Sequence, residues 1–294
     1  MKKNLLLILS FAVCYTLFAQ SPTLYSTGQG LISTRISHLT FDHDNFLWIA
    51  TGQGLARFDG QTFTTYQRQV DSPYSLHENH ISYTYIAPDG EHWIGASDGL
   101  YHLDPTQNRL THFTADSTQA NVSVSGIMPH TSMPNILLIG TYGYGIYLFD
   151  TKTMDYDRIN TRLFQTILKW WNCQHILTDS HGHLWIASPT NLQCIDLDGK
   201  IDLPLRGVIS GEANVVVQDM IEDTRHNRIY FATLHDGLLY CDLTTMVIGH
   251  IDIPELDQRN LSALTLAPDG SLMVGTESGG LWRVHLGKAT RVRV

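Results

Sequence analysis

The sequence predicts an all-β protein, a β-propeller built from four-stranded blades. Three observations predict it. An apolar pair recurs as Trp48-Ile49, Trp93-Ile94, Leu138-Ile139, Trp185-Ile186, Tyr230-Phe231 and Met273-Val274, at steps of 43 to 47 residues. Seven or eight residues after each pair comes a second apolar anchor: Leu55, Leu100, Ile146, Leu192, Leu238 and Leu281. Four residues further stand Asp59, Asp104, Asp150, Asp196 and Asp242, with His285 in the sixth unit. A period of about 45 residues with this content is the signature of stacked blades around a channel.

Each element follows from local chemistry. In the first unit the strands are expected near Ile36–Phe41, Phe46–Ala50, Leu55–Phe58 and Thr62–Tyr66. Leu47-Trp48-Ile49-Ala50 is apolar without alternation, as a strand buried on both faces can be. The residue before each second anchor is Gly54, Gly99, Gly145, Asn191, Gly237 or Gly280. Gly tolerates positive φ and Asn is the next best choice, so each marks a tight turn between second and third strands. The downstream Asp can accept a hydrogen bond from the backbone two residues on and open the next turn.

The chain ends frame the rest. Met1-Lys2-Lys3, the apolar run Leu5–Phe18 and Ala19-Gln20 read as a secretory signal peptide over residues 1–19, with the propeller over 20–294. That makes the mature chain an exported one, outside the cytoplasm. The run is short for a membrane span, and no later stretch is a better one. Losing Lys2 and Lys3 moves the formal charge from −9 to −11, and an acidic surface repels phosphate backbones, so nucleic acid is not an expected partner. Six units nearly use up the mature chain. Leu24–Ser37 resembles an outer strand with the link into an inner one, yet Ala289–Val294 supplies the last unit with its own outer strand. These two features point to a truncated seven-bladed ring, or the start of a longer protein. The rival is a closed six-bladed ring, in which Tyr25 would pair beside Trp282.

Ile36–Tyr66, "ISHLTFDHDNFLWIATGQGLARFDGQTFTTY", resembles the two-component regulator propeller repeat of periplasmic sensor regions in Bacteroidetes hybrid two-component systems. The resemblance is sharp in units one, two and four. It weakens where Leu138, Tyr230 and Met273 replace Trp. It implies a ligand-sensing ectodomain, often for glycan fragments. It also implies further sensor domains, a membrane span and a kinase beyond this chain. Signalling output is therefore not expected from these residues alone, and no enzymatic activity is expected of them.

In such a blade, the loop between second and third strands shares one face with the link into the first strand. The binding candidates gathered there are Arg35, His80, Tyr142, Tyr144, Trp170, Trp171, His235, Asp236, Arg259 and Asn260. Tyr142 and Tyr144 in a Gly-rich turn, with Trp170-Trp171 leading into the next blade, could stack on sugar rings while neighbouring polar groups fix hydroxyls. Packing between blades is the competing role. His77–His80, "HENH", lacks the spacing of a helical zinc motif and sits in a turn, and "HGH", His181–His183, is read as a solvated turn on the opposite face. "DHDN" and "DSHGH" lack the ligand count of a calcium loop. Cys173, Cys194 and Cys241 fit no zinc pattern and read as small buried hydrophobes. No cofactor or metal is called for. The expected partner is a small ligand, an oligosaccharide first among candidates; a second copy or further sensor domains are the other candidates. The alternatives are a secreted lyase or hydrolase using His80, His235 and Asp236 in the central channel, and a protein-interaction platform.

Overall fold

The computed structural model describes residues 23–104, 106–115, 122–157, 161–162, 165–168, 171–198, 201–203, 206–207, 215–257 and 259–292. The signal peptide expected over residues 1–19 lies outside them.

Blade one is β1 (Ile36–Phe41), β2 (Leu47–Thr51), β3 (Gly54–Phe58) and β4 (Phe63–Tyr66). Blade two is β5 (Ile81–Ile86), β6 (His92–Ala96), β7 (Gly99–Asp104) and β8 (Arg109–Phe113). Blade three is β9 (Val124–Pro129), β10 (Ile136–Thr141), β11 (Ile146–Asp150) and β12 (Asp155–Tyr156). Blade four is β13 (His175–Thr178), β14 (His183–Ala187), β15 (Leu192–Asp196) and β16 (Ile201–Leu203). Then come β17 (Arg206–Gly207) and blade five: β18 (Val217–Asp223), β19 (Arg228–Thr233), β20 (Leu238–Asp242) and β21 (Val247–His250). Blade six is β22 (Leu261–Leu266), β23 (Leu272–Thr276), β24 (Gly280–His285) and β25 (Lys288–Arg291). Every blade is an antiparallel meander in chain order, and together they form a six-bladed β-propeller. Blade five differs in one respect: β17 adds a fifth, parallel strand along β21.

The core lies between blades. Trp48 and Leu55 pack against Ile81, Ile94 and Tyr101 at the first interface. Trp93 and Leu100 meet Val124, Leu137 and Phe149 at the second. Leu138 and Ile146 meet Ile176 and Ile186 at the third. Trp185 and Cys194 meet Met220 and Phe231 at the fourth, and Ala232 and Leu238 meet Leu264, Val274 and Trp282 at the fifth. Trp48, Trp93 and Trp185 hold equivalent places, each nearly inaccessible and turned toward the following blade. The non-alternating second strands are buried on both faces in blades one to four, as predicted. Cys173, Cys194 and Cys241 are buried, as expected.

Two polar devices repeat. Asp59, Asp104, Asp150, Asp196 and Asp242 each accept the backbone N–H two residues on, closing the predicted turn. The donors of these turns, led by the Thr62 N–H at Asp59, the Thr106 hydroxyl at Asp104 and the Thr245 N–H at Asp242, hold the three carboxyls below the usual range. The second device runs from the turn before the second strand back to its tryptophan. Asp42 accepts the Trp48 indole N–H at 2.7 Å, and Asp179 accepts that of Trp185 at 2.8 Å.

The tight-turn glycines adopt positive φ, from +64° at Gly237 to +143° at Gly99. Gly54, at φ +135°, also has no room: a Cβ there would lie 2.5 Å from the Tyr66 carbonyl oxygen. Gly54→Ala is therefore expected to cost about 2–3 kcal/mol of stability. Denaturant unfolding checks it, and an unchanged midpoint would contradict the strain. Asn191 departs from the expectation. It is not in the left-handed region; its turn closes instead through Ser188, whose hydroxyl bonds the Asn191 carbonyl and accepts its N–H.

The N-terminal segment does not pair beside Trp282. β25 occupies that edge, with Arg291 opposite Trp282, while Tyr25 packs edge-on against Phe58 and Phe63 of blade one. Leu31 covers Ile49 and Ala56 on the same side, and Ile36, Leu39 and Phe41 of β1 are exposed.

Candidate functional site

The strand registers place one set of loops at one end of the wheel. Ile36 is opposite Thr51, Thr51 opposite Gly54, and Leu55 opposite Tyr66, so blade entry and the second-to-third turn coincide. A backbone bond ties them together in five blades: the N–H groups of Gly52, Ser97, Tyr142, Leu234 and Glu277 donate to the carbonyls of Arg35, His80, Ser123, Val216 and Asn260. A hydroxyl at the end of the second strand closes the turn behind it. Thr51, Thr141, Thr233 and Thr276 donate to the carbonyls of Gly54, Gly145, Gly237 and Gly280 at 2.7–2.9 Å.

This frame brings several predicted residues together. Tyr142 and Tyr144 are 42% and 38% exposed in the β10–β11 turn, and Trp171 is 51% exposed in the link to blade four. The Trp171 carbonyl accepts the Gly145 N–H at 2.6 Å, and its ring edge lies 3.4 Å from where a Gly145 Cβ would be. Gln165 donates to the Tyr144 carbonyl at 3.1 Å, fixing the turn from outside. Trp170 of the predicted cluster lies outside the described residues.

Arg35 and His80 are exposed and flank Gly52, where a Cβ would touch both side chains at 3.9 Å. In blade six, the Asn260 amide donates to Glu277 at 2.8 Å. Arg259 donates to the Glu255 carbonyl at 2.7 Å and lays its guanidinium over Trp282 at 5.1 Å. His235 and Asp236 are exposed in the β19–β20 turn, where the Asp236 N–H donates to the Thr233 hydroxyl. No hydrogen bond or ion pair joins the His235-Asp236 turn to His80 among the described residues. On the opposite face, His183 is not the solvated residue expected. Its Nδ1 lies 2.9 Å from the buried Asp179 carboxylate, which also takes the His181 and His183 N–H groups.

Sequence reasoning missed a ring of residues lining the channel. His38, Tyr83, Gly126, His175, Asp219 and Ala263 occupy the same register in the six inner strands. They stand opposite Ala50, Gly95, Gly140, Ala187, Ala232 and Gly275. The small partner is the signal: Ala or Gly follows each repeated apolar pair, leaving room for whatever stands across from it. The His38 ring stacks on Tyr83, centroids 3.8 Å apart. Burial pushes both His38 and His175 down to about 4, and pushes the Asp219 carboxyl up to about 6 against the Leu264 and Met220 N–H groups that bond it.

Fold and face define a repeat propeller whose variable part is a crown of loops. Residues 30–53 match the model of the two component regulator propeller family, in agreement with the resemblance carried by Ile36–Tyr66. In sequence, no curated protein matches the chain. Among solved structures, it is similar to the extracellular domain assigned to a hybrid two component system of B. thetaiotaomicron. There the identity is 22% and the TM-score 0.74, over 90% of this chain and 35% of that one. The extracellular domain assigned to a one component system of the same organism gives 19% identity and TM-score 0.74, over 91% and 38%. PorZ, a bacterial surface component of the type-IX secretion system of Porphyromonas gingivalis, gives 17% and 0.64, over 84% and 38%. The chain thus spans little more than a third of these relatives, and at such identities the likeness is one of fold. Among the described residues, no helix is long and apolar enough to cross a membrane.

Proposed function

We propose that this chain is a periplasmic sensor propeller, whole or part of a sensor ectodomain, whose crown of loops recognises a small ligand of the oligosaccharide class. The observation that carries the reading is the exposed trio Tyr142, Tyr144 and Trp171, held on one turn and one link by the Gly145–Trp171 backbone bond. Large aromatic faces left in water on an otherwise ordered surface suit the apolar faces of sugar rings, and flanking amides suit their hydroxyls. The two extracellular domains of similar fold, assigned to one- and two-component systems, support a sensing role. The kinase step that a sensor serves would belong to other domains.

The test is calorimetry of the purified chain against a panel of glycan fragments, with product analysis of the same mixtures. One fragment class binds without turnover, and Trp171→Ala and Tyr144→Ala each weaken it about tenfold or more. Unchanged affinity in both variants removes the trio from the site, and product formation replaces the sensor with an enzyme.

A further inference from the structure

The crown carries a second cluster, in blade two, that the aromatic trio does not use. His77 stands in the link from blade one, Asp98 in the β6–β7 turn, and His112 on β8. Each offers one ligand atom, and these atoms lie within 4.8 Å of one another. His112 Nε2 is 3.6 Å from Asp98 Oδ2, and the His77 and His112 rings meet edge to face with centroids 4.7 Å apart.

Tyr101 organises the group. Its hydroxyl donates to Asp98 Oδ2 at 2.7 Å and accepts the His77 N–H at 3.1 Å, and its ring stacks on His112. One carboxylate oxygen is thereby satisfied. The other, Asp98 Oδ1, is buried and has no hydrogen-bond partner, on a residue only 5% exposed. An orphaned carboxylate oxygen is costly in a protein interior unless something positive meets it.

We propose that His77, Asp98 and His112 form a binding site for a divalent late first-row cation, Zn2+ foremost. Two imidazoles and a carboxylate are a donor set that such ions favour over calcium or magnesium. A tetrahedral ion with bonds of about 2.1 Å needs ligand atoms about 3.4 Å apart, so the cluster must tighten by up to about 1.4 Å. His77 is exposed and free to swing inward. His112 Nε2 faces the Asp98 carbonyl at 3.0 Å, and binding replaces that hydrogen bond, the ring proton residing on Nδ1. His77 also borders a cleft of about 400 Å³ that opens between Arg68 and Leu76. The cation's remaining position faces solvent on that side, which leaves it available to water or to an anionic ligand group. Spacing along the chain hides the site, because its three ligands come from a link, a turn and an outer strand.

The experiment is titration of the metal-stripped full chain with ZnCl2 by calorimetry and thermal shift, with Co2+ absorption as a report on ligand type. One equivalent of Zn2+ binds saturably and raises the unfolding temperature, and Ca2+ does neither. His77→Ala, at an exposed position that leaves the core intact, weakens binding at least about tenfold, and His112→Ala does the same. His226→Ala, at an exposed histidine paired with Asp223 elsewhere, changes nothing. Absence of a saturable equivalent overturns the site, as does Zn2+ binding that survives His77→Ala and His112→Ala together.

Discussion

Trp185→Ala is expected to lower the unfolding free energy by about 5 kcal/mol. The indole is fully buried at the interface of blades four and five, 5.7 Å from Phe231 between ring centroids. Removing a buried aromatic of this size costs about 3–5 kcal/mol in lost transfer and cavity formation. A second cost follows from the hydrogen bond. Asp179 is 1% exposed and takes the Trp185 Nε1–H at 2.8 Å. Leaving that carboxylate one donor short adds about 1–2 kcal/mol. Trp185→Phe keeps most of the packing and loses the bond, so its deficit should be the smaller part. Trp171→Ala, which removes an aromatic already half in water, should stay within about 0.5 kcal/mol of the parent. Guanidinium unfolding of the three variants at one temperature measures all of this. A Trp185→Ala midpoint indistinguishable from the parent would mean that the repeated tryptophan is not what joins consecutive blades.

The repeat was legible because it is written in contacts that are local or recur at a fixed distance. An apolar pair leaves its mark six times, and a Gly forced to positive φ and an Asp closing a turn two residues ahead leave theirs five times each. Strand ends in blade one therefore matched the expectation to within a residue. What the chain could not show is whatever depends on neighbours across the wheel. The channel ring of His38, Tyr83, His175 and Asp219 becomes visible only when six inner strands are set in register. His183 looked like any turn histidine until Asp179 was seen to be buried beneath it. β17 joins blade five from the preceding connection by parallel pairing, which no periodicity announces. The aromatic cluster was half legible. The sequence put Tyr144 and Trp171 on one face, and the Gly145–Trp171 bond is what fixes them side by side.

The same buried histidines make stability fall in mild acid, by roughly 2–5 kcal/mol between pH 7 and pH 4.5. His38 and His175 are held down to about 4 by burial, and His92 to about 3. His92 lies under Trp48, its Nε2 2.5 Å from the Thr84 hydroxyl and its Nδ1 without a partner. All three are neutral in the fold, while in the unfolded chain they take a proton near 6.5. A folded value below the unfolded one gives stability that is complete above about 6.5 and is lost as pH falls toward 4. Asp219 works the other way. Raised to about 6, it takes its proton in the fold first and gains stability between about 6 and 3.8. Three histidines against one carboxyl leave a net proton uptake on unfolding, worth about 1.4 kcal/mol per proton per pH unit at most. The carboxyl of Asp269, held down to about 2 by Ser271 and Arg283, adds to the loss in the same direction, but mainly below about 3.8 and so outside this range. Urea midpoints at pH 7, 5.5 and 4.5 read the slope directly. His175→Gln, which removes one of the three histidine protons against the one carboxyl that offsets them, while keeping a neutral polar side chain in the channel, should flatten it by nearly half. A midpoint constant over that range, or a slope untouched by His175→Gln, would place these imidazoles in water rather than inside the wheel.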